Sequence, residues 1–119
     1  MTENGVIITG GEQPNFQNVL LYDGKSVSND AIKDMNYPHQ HHCAILLGDE
    51  LFVISGSHTD KVEAFDLIQQ QWNPRGELVT QRSNATAALF ENTIIVIGGQ
   101  DSRGNYLDTV EKFYKNTWT

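Results

Sequence analysis

One short apolar run, closed each time by a doublet of small residues, occurs three times: Val6-Ile7-Ile8-Thr9-Gly10-Gly11, Leu51-Phe52-Val53-Ile54-Ser55-Gly56 and Ile94-Ile95-Val96-Ile97-Gly98-Gly99. The doublets stand 45 and 43 residues apart. Such a period constrains architecture more than any local signal, because each repeat is a supersecondary unit that buries its apolar face only by stacking on a neighbour. A second signature follows each doublet in the same order: Val19-Leu20-Leu21-Tyr22-Asp23, Val62-Glu63-Ala64-Phe65-Asp66 and Val110-Glu111-Lys112-Phe113-Tyr114. Trp72 and Trp118 trail the aromatic in the second and third units, where the first has only Val27. A further matching run, His41 to Leu47 and Asn84 to Phe90, leads into the second and third doublets through Gly48-Asp49-Glu50 and Glu91-Asn92.

These runs are short, rich in Ile, Val, Phe and Thr, bounded by Gly, Asn and Asp, and without helical spacing, so they read as strands. Asp30-Ala31-Ile32-Lys33-Asp34-Met35 has room for one helical turn. It is too short to stand alone and reads as strand or loop. Glycine after a buried strand permits a turn with positive φ where the chain must leave the sheet. Each full unit therefore holds four short antiparallel strands in about 44 residues.

Four strands per unit at a period of 40 to 50 residues suit a propeller blade. The doublet, the aromatic about a dozen residues on and the Trp beyond it resemble the kelch repeat, over Val6 to Trp118 and most fully over Ile94 to Trp118. The second unit departs in carrying Ser55-Gly56, and the first lacks its Trp. The resemblance implies an all-β fold, a partial kelch-type β-propeller of about three antiparallel four-stranded blades. Residues 1–119 form the array of about 2.7 repeats, with an incomplete first blade at 6–34, a second at 38–78 and a third at 80–119 whose last strand is truncated. One such chain does not close a ring, since propellers use about four to eight blades. Open faces and edges demand cover. Three arrangements supply it or do without: a longer propeller of which this is a fragment, self-association into a ring, or an open three-blade array.

Charge narrows the partners. Eight Lys and Arg stand against 15 Asp and Glu, a net charge of -7, so no basic surface meets a phosphate backbone and nucleic acid is not an expected partner. The apolar run around Thr93–Ile97 falls far short of the roughly 20 residues of a membrane span. No membrane partner is expected, and the first residues lack the pattern of a signal peptide. Cys43 is the single cysteine, which excludes an internal disulfide and favours a reducing compartment, the cytoplasm.

His39-Gln40-His41-His42-Cys43 offers metal-ligand types. Strand alternation would put His39 and His41 on one face and His42 on the other, and the third unit carries Arg82-Ser83-Asn84-Ala85 there. The histidines thus read as structural or surface residues, with no metal and no cofactor. In an antiparallel blade of strands A to D, the B–C loops and the links from D to the next A lie at one end. That end gathers Glu12 to Asn18, Tyr37 to His41, Ser57 to Asp60, Gln81 to Asn84 and Gln100 to Asn105. The resemblance implies that this is the peptide-binding face, with His41 and Asn84 at the channel mouth; the basic residue frequent there in peptide binders is absent from both. Candidate partner-binding residues are His39, His41, His58, Arg82, Asn84, Asp101 and Arg103. Tyr22, Phe65, Trp72, Phe113 and Trp118 recur at fixed places and read as packing between blades. Glu63 and Glu111 share one repeat position and read as strand-surface or blade-contact residues. There is no phosphate loop, nucleophile elbow or metalloprotease motif. The expected function is a non-enzymatic protein–protein interaction module with a protein or peptide partner. The alternative is part of a propeller enzyme, like the copper radical oxidases or a sialic acid epimerase, with its active site outside this chain.

Overall fold

Left-handed residues at tight turns set the sheet registers. A computed structural model describes residues 34–119 and three earlier strands, Val6–Thr9 (β1), Val19–Tyr22 (β2) and Val27–Ser28 (β3). The later strands are Cys43–Leu47 (β4), Glu50–Ile54 (β5), Lys61–Asp66 (β6), Gln71–Glu77 (β7), Thr86–Phe90 (β8), Thr93–Ile97 (β9), Val110–Tyr114 (β10) and Thr117–Trp118 (β11). Glu91 and Asn92 (φ 49° and 63°) join β8 to β9, and Lys115 and Asn116 (φ 52° and 63°) join β10 to β11. Two consecutive positive φ values make the two-residue hairpin turn whose twist matches its flanking strands. Each sheet is a sequential antiparallel meander: β1-β2-β3, β4-β5-β6-β7 and β8-β9-β10-β11. The fold is all-β and unclosed, a partial propeller, and among the described residues no helix is long and apolar enough to cross a membrane.

Two strands begin later than the sequence suggests. His41 and Asn84 take φ values of 53° and 57°, a left-handed conformation that has no place in a pleated strand. β4 and β8 therefore start at Cys43 and Thr86, and the strand alternation expected for His39, His41 and His42 does not apply. Asp34 and Met35 have no regular structure, as a loop should; Asp30 to Lys33 lie outside the described residues.

The doublets turn the chain as their composition suggests. Ser55 and Gly56 have φ 54° and 126°, and Gly98 and Gly99 have 69° and 86°. The second residue of each pair is the more constrained. A Cβ on Gly56 would meet the Gln40 carbonyl oxygen at 2.4 Å and one on Gly99 the Ser83 carbonyl oxygen at 2.5 Å, whereas one on Gly98 finds its nearest neighbour, the Leu107 carbonyl oxygen, at 3.6 Å. That difference is why serine is accommodated at position 55. Gly10 and Gly11 lie outside the described residues.

Alternation along the strands sends Phe52, Ile54, Val62 and Ala64 of the second sheet into one core with Leu78 and with Ile94, Val96, Phe113 and Trp118 of the third. Phe52 and Phe113 meet at 5.3 Å between ring centroids. Trp118 Nε1 donates to the Arg75 carbonyl at 2.8 Å, tying β11 to β7. Phe65 with Trp72 and Phe113 with Trp118 are cross-strand pairs, at 5.2 and 5.0 Å. Trp72 packs on the other side of the second sheet, against Met35 and Val53. The aromatic positions are thus packing positions; the side chain of Tyr22 lies outside the description. The third sheet's far side exposes Phe90, Ile97 and Val110, the repeat counterparts of Leu47, Ile54 and Val62, which the third sheet covers on the second.

Candidate binding face and its buried clamps

Strands β6 and β10 each carry a glutamate toward the irregular segment that precedes their own sheet. Glu63 Oε1 accepts the Asn36 N–H at 2.9 Å and Oε2 the Tyr37 N–H at 3.0 Å. Glu111 Oε1 accepts the Val79 N–H at 2.6 Å and Oε2 the Thr80 N–H at 3.1 Å. A basic side chain completes each grip. His39 Nε2 lies 2.9 Å from Glu63 Oε2, and Arg82 Nε donates to Glu111 Oε2 at 3.0 Å. The second contact repeats too: His39 Nδ1 lies 2.7 Å from the Ser55 carbonyl oxygen, and Arg82 Nη1 donates to the Gly98 carbonyl at 2.9 Å. Arg82 also reaches Thr109, through Nη1 to its carbonyl and Nη2 to its hydroxyl. His39, Glu63, Arg82 and Glu111 are 0, 0, 2 and 4% exposed. Polar groups so far from water persist only when hydrogen-bonded, as these are.

The clamps fix the loops above them. The Ser57 N–H donates to the Gln40 carbonyl at 2.8 Å, and the Asn84 N–H to the His41 carbonyl at 2.7 Å. Gln81 Nε2 donates to the carbonyls of Gly56 and Ser57 at 3.0 and 2.8 Å. His41 Nδ1 lies 3.0 Å from Ser57 Oγ, and His58 Nε2 lies 3.0 Å from Gln40 Oε1. Ser83 and Gln100 exchange both backbone bonds, at 2.9 and 2.8 Å. Loops of two successive sheets therefore form one continuous polar surface.

The sequence-selected residues divide by depth. His41, His58, Asn84 and Arg103 are exposed in these loops. Asp101 is half-buried and shapes its own loop, accepting the N–H groups of Arg103 and Asn105 at 2.9 Å each. Its carboxyl is held below the usual aspartate range, chiefly by the Asn105 N–H. His39 and Arg82 are buried below the surface, in the clamps. Gln40, Ser57, Gln81 and Gln100, which join the loops, were not singled out by sequence; their proximity to the doublets was the available signal. Glu63 and Glu111, expected on the strand surface or at a contact between blades, are instead buried, each gripping the segment before its own sheet.

The imidazoles of His39 and His41 have separate partners, and no three His, Cys, Asp or Glu side chains converge on a metal-sized site among the described residues. Burial, then the charges of His39 and His41, push the His42 ring down to about 4. Burial pushes the Cys43 thiol up to about 11, so it remains an unreactive thiol at neutral pH.

The family model of the Kelch motif matches residues 81–119. Kelch-like protein terF of Aspergillus terreus is 26% identical over 112 residues, covering 87% of this chain and 23% of that protein. Kelch-like protein 23 of Homo sapiens is 26% identical over 102 residues, 79% of this chain and 18% of its own length. Immune evasion protein OPG047 of Vaccinia virus is 28% identical over 83 residues, 70% of this chain and 16% of its own. The chain thus spans only about a fifth of the length of these relatives.

Proposed function

We propose that this chain, which belongs to the kelch-repeat family, is a non-catalytic interaction module that takes a protein or peptide partner on the loop end bearing His41, His58, Asn84, Asp101 and Arg103. The observation that supports this reading most is the joining of loops from two successive sheets, β4–β7 and β8–β11, into one polar surface over the buried clamps. A surface held from beneath loses little conformational freedom on binding, which lowers the cost of association. His39 and Arg82 serve it from below as positioning residues. The exposed donors and acceptors are uncharged or of mixed sign, so recognition rests on hydrogen bonds more than on a single charge. A cytoplasmic setting suits the free thiol of Cys43.

Capture from an extract of the source cells tests the reading. His41→Gly with Asn84→Gly removes both side chains while suiting the left-handed backbone at each site. A discrete protein captured by the wild-type chain should be lost, with the melting temperature unchanged. Gln69→Ala with Lys115→Ala, in the β6–β7 and β10–β11 turns, should leave capture intact. Capture that survives the glycine pair, or fails equally in both variants, removes this end as the binding face.

A further inference from the structure

His39 stands where the next repeat has Arg82, and the substitution has a chemical consequence. Arginine keeps its charge and several N–H donors at any ordinary pH, so Arg82 serves Glu111 and the Gly98 carbonyl at once. A neutral imidazole carries one N–H only. Both ring nitrogens of His39 nevertheless face acceptors, Ser55 O at 2.7 Å and Glu63 Oε2 at 2.9 Å. The ring is fully buried, so a lone pair turned toward either oxygen would have no water to separate them.

We propose that His39 is held as an imidazolium that donates through both ring nitrogens, so that it does in the second blade's clamp what the Arg82 guanidinium does in the third's and fixes the segment carrying Gln40 and His41. The surroundings favour that form. From β6 the ring faces Glu63, whose oxygens already accept the N–H groups of Asn36 and Tyr37 and so keep the character of a carboxylate. From its own segment it faces the ring of His42, centred 5.8 Å away. From the loop after β5 it meets the Ser55 carbonyl. Arg82 comes to Ser55 through its backbone N–H, bound to the hydroxyl at 3.0 Å, while its guanidinium goes to Glu111, Gly98 and Thr109.

The two N–H groups of the His39 ring are thus the counterpart of the Arg82 arms that hold Glu111 and the Gly98 carbonyl. That molecular claim stands whether or not the end face binds a partner.

The test is nitrogen NMR on the labelled 119-residue chain, with the His39 signals assigned by their loss in His39→Arg. At pH 7.5 both ring nitrogens of His39 should show the shifts of protonated nitrogens. In His39→Leu, which removes both donors, exchange protection of the Asn36 and Tyr37 amides should fall at least about tenfold, as a lost buried hydrogen bond implies, while protection at Val79 and Thr80 should not follow it. In His39→Arg, protection at Asn36 and Tyr37 should be kept. A single protonated nitrogen at pH 7.5, or protection that falls equally at both clamps in His39→Leu, overturns the proposal. The wild-type spectra decide this even if His39→Arg does not fold.

Discussion

The clamps at Glu63 and Glu111 perform one task with different cations. Each carboxylate binds two successive backbone N–H groups and one basic side chain, and each basic side chain also reaches the carbonyl of the first doublet residue. The contrast lies in what is added. The Arg82 guanidinium extends to Thr109 and ties in the segment before β10, whereas the His39 ring makes no hydrogen bond among the described residues beyond those with Ser55 and Glu63. The backbone geometry of a repeat thus requires a buried acceptor and a two-armed donor, and more than one side chain can be that donor. What changes with the side chain is how much chain it gathers.

Removing the donors should break this symmetry most. Arg82→Ala leaves Glu111 buried without its cation and should cost about 3–5 kcal/mol, the range for breaking a buried pair. His39→Ala should cost less, about 2–3 kcal/mol, because it frees fewer partners. Urea denaturation of both variants measures the difference; equal losses would mean that the Thr109 contacts contribute nothing.

The doublets offer the next contrast. Gly99→Ala places a methyl against backbone at 2.5 Å and should cost about 3 kcal/mol through strain and displacement. Gly98→Ala makes only an ordinary van der Waals contact, 3.6 Å to the Leu107 carbonyl oxygen, and should cost only the left-handed penalty, about 1–2 kcal/mol. If the two cost the same by thermal melting, the close approach to Ser83 is not a constraint.

Acid should act on the second blade through His42. His42 titrates at about 4 when folded, against 6.5 ordinarily, because of burial first and the neighbouring charges second. Between those values the unfolded chain takes up a proton that the fold refuses, so stability is full above pH 6.5 and falls as the pH drops toward 4. The accumulated loss should be about 2–3 kcal/mol. His42→Gln should flatten that slope; an unchanged slope would assign it elsewhere. The smallest effect should be Trp118→Phe, which removes the N–H bond to Arg75 and keeps most of the ring, at about 1 kcal/mol. Calorimetry on that variant checks it.

The repeat, the four strands of each full unit and the positive-φ doublets were legible because period, β-branching and glycine are local signals. The strand starts were not, because His41 and Asn84 take left-handed backbone without being glycine. The turns at Glu91 and Lys115 show the same freedom. The clamps were half legible. Glu63 and Glu111 stood out by repeat position, but their partners lie 24 to 32 residues earlier, in segments with no periodicity. For the same reason His39 and Arg82 looked like their polar neighbours His41 and Asn84, and only the tertiary fold separates a buried donor from an exposed one.

Amide exchange in two single variants addresses the central claim, that successive blades are positioned by equivalent and independent carboxylate clamps. Glu63→Gln should strip protection from Asn36 and Tyr37 and leave Val79 and Thr80 as they were, and Glu111→Gln should do the reverse. Protection lost at all four amides in either variant, or at none, would contradict it.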